Sequence, residues 1–198
     1  MKTLLRIDSS PRKKSSLSRQ LADVLQEKLE TEVGYTSTHR DVYYDELIKL
    51  GNEDSISAYF TPEEQQSTAQ KEAVKASNIL SAEFASADAF IFAVPMYNFS
   101  ITAGLKAYID LIARSGISFT YSENGPEGLL KGKKAYVIIT TGGTKLGTDV
   151  DYVSGYMTTF LNFVGITDIE FINSDQIMTD AKKILNQVKT EINELILK

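Results

Sequence analysis

Residues Phe92–Asp110 read FAVPMYNFSITAGLKAYID. An apolar run that starts at Ala87 and carries through Phe90-Ile91-Phe92-Ala93-Val94 stops at Pro95. Such a run has no polar face, as expected for a central strand of a parallel sheet covered on both sides. Proline ends it, because it fixes φ and lacks the N–H that a ladder requires. Then come Met96-Tyr97-Asn98-Phe99, where a turn would ordinarily carry Gly, Asp or Ser, and then a helical pattern from about Thr102 to Arg114.

Outward from there, the chain alternates apolar and amphipathic segments. Thr3 to Ile7 reads as a first strand, Glu32 to His39 as a second, Lys134 to Thr140 as a fourth and Asp168 to Ile172 as a fifth. Leu17, Leu21, Val24, Leu25 and Leu29 recur at helical spacing between Ser16 and Glu30. Thr61-Pro62-Glu63-Glu64 carries helix-start signals and predicts a helix from there to Phe84. Further helices are expected over 149–164, stopped by Gly165 in a left-handed cap, and over 180–197. The stretch between the second strand and Asp54 reads as a polar connection, and no repeat or linker divides residues 1–198, so a single domain is expected.

Alternation of strands and helices predicts an α/β fold, an open, doubly wound, five-stranded parallel sheet with helices on both faces. The expected strand order is the flavodoxin-like 2-1-3-4-5, with ligands bound at the carboxyl ends of the strands where the order reverses. The loops after the first, third and fourth strands therefore lie at the expected binding edge.

The bulk numbers narrow the function. A chain of 198 residues with 42% hydrophobic and 24% charged content is an ordinary globular protein. Its net charge of −5 speaks against a nucleic-acid partner, which needs a basic face. There is no cysteine and one histidine, His39, so thiolate chemistry is excluded and a metal site or a Ser-His-Asp triad has little material. The start, MKTLLRIDSS, turns polar too soon for a signal peptide, and no apolar run reaches membrane-span length. A cytoplasmic protein without membrane or nucleic-acid partners is the expectation.

The first loop follows Asp8 and leads into the first helix; from Ser9 to Ala22 it reads SSPRKKSSLSRQLA, neither G-x-G-x-x-G nor a Walker loop. It offers serine hydroxyls and the free N–H groups of a helix N-terminus, which suit one terminal phosphate, although helix capping alone explains serines there equally well. Arg12, Lys13 and Lys14 read as solvated loop charges. Met96, Tyr97 and Phe99 can cover a flat heteroaromatic ring while Asn98 offers donor and acceptor; packing under the next helix is the bland alternative. Thr140-Thr141-Gly142-Gly143 lets the backbone approach a ligand, or simply makes a tight turn.

PMYNFSITAGLKAYIDLIARSGISFTYSENGPEGLLKGKKA, with the serine loop and the Gly-Gly loop, resembles the FMN-dependent NADH-azoreductases, flavodoxin-like quinone and azo reductases, over most of the chain. The Met-Tyr-Asn-Phe and 119–129 segments carry the resemblance. It implies non-covalent FMN, its phosphate on Ser10, Ser16 and Ser18 and the backbone of Leu17. Met96, Tyr97, Asn98 and Phe99 would line the ring and ribityl, and Thr140, Thr141, Gly142 and Gly143 the pyrimidine end. The family commonly has Ser-Arg-Gly-Gly at that last position, so Thr141 replaces a cation. The resemblance also implies a homodimer whose active sites are completed across the interface, with Tyr121 and Phe163 as candidate lid residues. No metal is implied.

With FMN bound, the flavin carries the chemistry. The expectation is a two-electron ping-pong cycle: NADH delivers a hydride to flavin N5, NAD⁺ leaves, and a quinone or azo compound collects the electrons in the same place. Backbone N–H groups near Asn98 and Gly142-Gly143 would stabilise the reduced, anionic ring. The alternative from another class is a flavodoxin-type one-electron carrier on the same fold. A hydrolase would need a histidine beside Ser9 or Ser10.

Overall fold

The computed structural model describes residues 2–197. In chain order the strands are Thr3–Asp8 (β1), Thr36–Asp41 (β2), Ala89–Pro95 (β3), Phe119–Ser122 (β4), Gly125–Gly128 (β5), Lys134–Thr140 (β6) and Asp168–Ser174 (β7). The helices are Leu17–Glu32 (α1), Glu53–Tyr59 (α2), Thr68–Ser86 (α3), Ala103–Ile112 (α4), Ser154–Phe163 (α5) and Ala181–Glu194 (α6). A five-stranded parallel sheet has the order β2-β1-β3-β6-β7, which is the expected flavodoxin-like order once the separate hairpin β4–β5 is set aside.

Period-2 alternation along β3 divides the core. Phe90, Phe92 and Val94 enter one layer with Leu80, Phe84, Leu105, Tyr108 and Phe160 from α3, α4 and α5. Ala89, Ile91 and Ala93 enter the other with Leu21, Leu25 and Leu29 of α1 and Val188 and Ile192 of α6. Both layers exclude water from β3, each large apolar side chain contributing roughly 1.5–3 kcal/mol. Phe84 stacks at 4.4 Å on Phe90, locking α3 to the sheet. With both faces covered, the carboxyl edge of the sheet is left for a ligand.

Several local expectations needed correction. Pro62 leads only a 3-10 turn, Glu63–Gln65, and the chain is extended again at Gln66. The long helix starts later because Ser67 and Gln70 form a complete capping box. Before it, Asn52 and Ser55 cap α2 inside the segment read as a connection. The 119–128 segment, to which the sequence reading assigned no element, pairs as an antiparallel hairpin. Gly165 does end α5 with φ +97, but the helix begins at Ser154 after Asp151 has taken the N–H groups of Val153 and Ser154. Among the described residues, no helix is long and apolar enough to cross a membrane, and no cluster of three His, Cys, Asp or Glu could hold a metal.

Candidate functional site

β1 and β3 are hydrogen-bonded neighbours, yet the sequence leaves β1 through α1 on one face and β3 through α4 on the other. The divergence opens a cavity of about 680 Å³ beyond Pro95 and Thr140, within the roughly 300–1,000 Å³ typical of small-molecule sites. Ser10, Ser16 and Leu17 line one side, Met96 and Tyr97 the middle, and Thr140, Thr141 and Gly142 the other side. Eight of the predicted site residues thus meet at one place. Another cavity, of about 550 Å³, lies between residues 46–55 and α3, away from the strand ends and without convergent hydroxyls.

The serine loop is built around the start of α1. Ser16 is the N-cap, its Oγ accepting the Arg19 N–H at 3.4 Å, and it lies 3.1 Å from Ser18 Oγ. Ser18 is fully buried behind it and does not line the cavity. Ser10 Oγ accepts the Arg12 N–H at 3.1 Å. Ser9 belongs to the sheet instead: its hydroxyl and its N–H both donate to the Ala93 carbonyl. The first N–H groups of α1 have no partner within the helix and point out of its N-terminus, a setting suited to an anion.

Beneath this loop lies a buried ionic cluster. Asp8, at the end of β1, accepts two hydrogen bonds from Arg6 at 3.0 Å and one from Arg19 at 3.1 Å, and stands 3.0 Å from His39 Nε2. Burial pushes the Asp8 carboxyl up, but the hydrogen bonds of His39 and Arg6 and the charges of Arg6 and Arg19 outweigh it and hold it below the usual carboxylate range. Arg19 also makes a two-pronged contact with Asp41 at 2.7 and 2.9 Å.

At the middle wall, Met96 N–H donates to the Thr140 carbonyl at 2.8 Å, so the loop after β3 continues the ladder toward β6. Tyr97 and Ser100 then exchange backbone hydrogen bonds at 2.9 and 3.1 Å around Asn98 and Phe99. Both central residues have positive φ, 49° and 71°. Asparagine tolerates that region, whereas a phenylalanine there is strained. The turn carries Asn98 and Phe99 beyond the lined cavity, Phe99 being half exposed.

The third wall hangs on β7. Thr141 lines the cavity, yet its hydroxyl is engaged, donating to the Thr144 carbonyl and accepting the Gln176 N–H. The carbonyls of Thr141 and Gly142 accept the N–H groups of Ile177 and Met178 at 3.1 and 3.0 Å. A β-carbon on Gly143 would meet nothing within 4 Å, so open space lies against the loop. A helix N-terminus with hydroxyls, a wall made by Met96 and Tyr97, and a glycine loop with room beside it fit the chemistry of FMN.

Tyr121 and Phe163 do not line their own chain's cavity. Both pack on Phe119, at 5.5 and 4.5 Å between ring centres, and Tyr121 is 71% exposed. Residues 177–181 form a wall that the sequence reading missed, and Arg12, exposed as a solvated loop charge should be, also lines the cavity. The only available signal for 177–181 was topological: they follow the strand beside β6.

A family model described as a flavodoxin-like fold matches residues 1–196. An FMN-dependent NADH:quinone oxidoreductase of Hahella chejuensis is 46% identical over 190 residues, 96% of this chain and 92% of the relative. One from Jannaschia sp. is 41% identical over 195 residues, covering 98% and 99%. An FMN-dependent NADH-azoreductase from Bacillus anthracis, solved in complex with FMN, superposes with a TM-score of 0.88 at 25% identity, covering 98% and 97%.

Proposed function

Because the chain belongs to the flavodoxin-like family of FMN-dependent NADH:quinone oxidoreductases, we propose that it binds FMN in the cavity at the carboxyl edge of its sheet and reduces quinones and azo compounds with NADH. The observation that carries this reading is the convergence of Ser10, Ser16, Met96, Tyr97 and the Thr140–Gly142 loop on one cavity. Residues 1–198 act as a single FMN-binding domain.

FMN held there would supply two-electron hydride chemistry between NADH and the acceptor. The chain's own residues do the rest. Ser10, Ser16 and the Leu17 N–H hold the phosphate end, and Ser18, buried behind them, supports Ser16 through its hydroxyl rather than touching the ligand. Met96 and Tyr97 wall the ring and exclude water, with Asn98 and Phe99 closing the rim. The backbone of Thr140, Thr141, Gly142 and Gly143 approaches the pyrimidine end. Donor and acceptor use one stacking position in turn, a ping-pong arrangement that needs no second nucleotide motif.

The protein works as a homodimer, in which Tyr121 and Phe163 of a second copy cover the ring. The exposure of Tyr121 and its absence from the wall of its own chain's cavity support that assignment. Its acidic balance, a net charge of −5, suits a cytoplasmic enzyme with small-molecule partners and neither nucleic acid nor membrane.

The test is an absorbance spectrum of the FMN-loaded protein under anaerobic conditions. NADH alone should bleach the flavin band, and a quinone should restore it. A band indifferent to NADH would indicate a one-electron carrier; no flavin binding would remove the cavity from consideration.

A further inference from the structure

The serine loop has a feature that helix capping does not require. Between residues 10 and 14, four backbone carbonyls are each held by a donor from the protein. Arg19 Nη2 donates to the Ser10 carbonyl at 2.7 Å, and the Tyr44 hydroxyl donates to the Pro11 carbonyl. Ser16 N–H takes the Lys13 carbonyl and Gln20 Nε2 the Lys14 carbonyl, each at 3.1 Å. A carbonyl oxygen carries partial negative charge, so any that faced the cavity would repel an anion. With these four acceptors engaged, fewer carbonyls are left to oppose an anion beside the loop's hydroxyls and N–H groups.

Resting on the reading that the loop holds the FMN phosphate, we propose that Arg19 and Tyr44 are positioning residues that turn the Ser10 and Pro11 carbonyls away from the anion and so set the loop's selectivity for a phosphorylated flavin. Neither side chain lines the cavity. Arg19 is suited to the task because it is itself immobile. It is buried, its guanidinium is clamped by Asp8 and by both oxygens of Asp41, and only the nitrogen facing the loop reaches Ser10. Its fork spans carboxylates and carbonyl together, which an ammonium cannot do. Tyr44 approaches from the connection after β2. Its ring also carries the Lys13 ammonium at 4.3 Å, so a single aromatic residue holds the loop at two points.

The experiment compares FMN with riboflavin, which lacks only the phosphate, by flavin fluorescence quenching on apo-protein. Wild type should prefer FMN strongly. Arg19→Lys keeps a cation between Asp8 and Asp41 but cannot also span to Ser10. It should bind FMN roughly tenfold more weakly, the equivalent of one charge-assisted hydrogen bond, while riboflavin stays within about twofold. Tyr44→Phe keeps the ring under Lys13 and loses only the exposed hydroxyl. It should move FMN in the same direction by about threefold, and it serves as the deciding variant if Arg19→Lys does not fold. Variants that keep the wild-type preference, or that weaken FMN and riboflavin equally, overturn the positioning role. A wild type indifferent to the phosphate instead overturns the assignment of the serine loop, and the inference with it.

Discussion

Gly128 and Gly165 lie backbone against backbone. A β-carbon on Gly128 would fall 2.1 Å from the Gly165 nitrogen and 2.4 Å from its Cα. The contact docks the β4–β5 hairpin on the end of α5, where Leu130 N–H also donates to the Val164 carbonyl at 2.9 Å. Backbone cannot swing aside as a side chain can, so Gly128→Ala must part the hairpin from α5. We expect a loss of about 3 kcal/mol, as in overpacked cores, and a Tm lower by roughly 6–12 °C for a chain of this size. Since the hairpin carries Tyr121, quinone reduction should fall as well. A Tm within about 2 °C of wild type would reject this docking.

Phe99 holds a φ of 71° immediately after Asn98 at 49°. Its side chain is 51% exposed, so little burial within the chain offsets the strain. Phe99→Gly should leave the apo-protein about as stable as wild type, because relief of roughly 1–2 kcal/mol of left-handed strain offsets the extra backbone entropy that glycine loses on folding. FMN affinity should fall roughly tenfold if the ring covers the bound flavin. A less stable apo-protein with unchanged affinity would show that the phenyl serves the fold and not the ligand.

The sheet, with a cavity at its carboxyl edge, was legible because it rests on patterns that local chemistry enforces. The unbroken apolar run of β3 and the helical spacing of Leu17, Leu21 and Leu25 each admit one arrangement. What escaped depended on competition between near-equal signals. Pro62 looked like a helix start, but the Ser67–Gln70 box a few residues further along the same stretch was complete and prevailed. The positions of Arg19, Tyr44 and residues 177–181 escaped for a different reason: each is set by contacts distant in sequence, such as Tyr44 on Pro11. A solvated face and a buried clamp look alike until the chain is folded, as Arg19 shows.

Asp8 should govern part of the acid limit of stability. Its folded-state pKa lies below the unfolded value of about 3.9, so near and below that value the unfolded chain binds more protons than the native one. The stabilisation is therefore fully present well above pH 4 and is lost as pH falls through the depressed native value. Wild-type Tm should begin to drop once pH falls below about 5 and go on falling as Asp8 is protonated. Asp8→Asn should flatten that slope, at a cost of about 3–5 kcal/mol near neutrality, because Arg6 and Arg19 would remain buried without their shared carboxylate. A slope in Asp8→Asn parallel to that of wild type would move the acid sensitivity elsewhere. Asp151 is the next candidate: burial's upward push there is outweighed by hydrogen bonds from Gly147, Ser154 and Val153.

Gly142 and Gly143 separate the two explanations for the glycine loop. A β-carbon at Gly142 would stand 3.2 Å from the Met178 sulfur, so the protein itself occupies that space, although a thioether can give way. At Gly143 it would meet nothing within 4 Å, and Gly143 is not among the residues with positive φ. Neither packing nor backbone conformation within the chain therefore demands glycine at position 143. A ligand brought close to the backbone would. Gly143→Val should accordingly leave the apo-protein's Tm within about 2 °C of wild type, as for a substitution that touches no buried feature. The same variant should weaken FMN binding by about tenfold or more through steric exclusion. Titration of apo-protein with FMN decides the matter: unchanged affinity would remove the Thr140–Gly143 loop from the flavin site, whereas lost affinity with an intact fold would mean that the glycine serves the ligand.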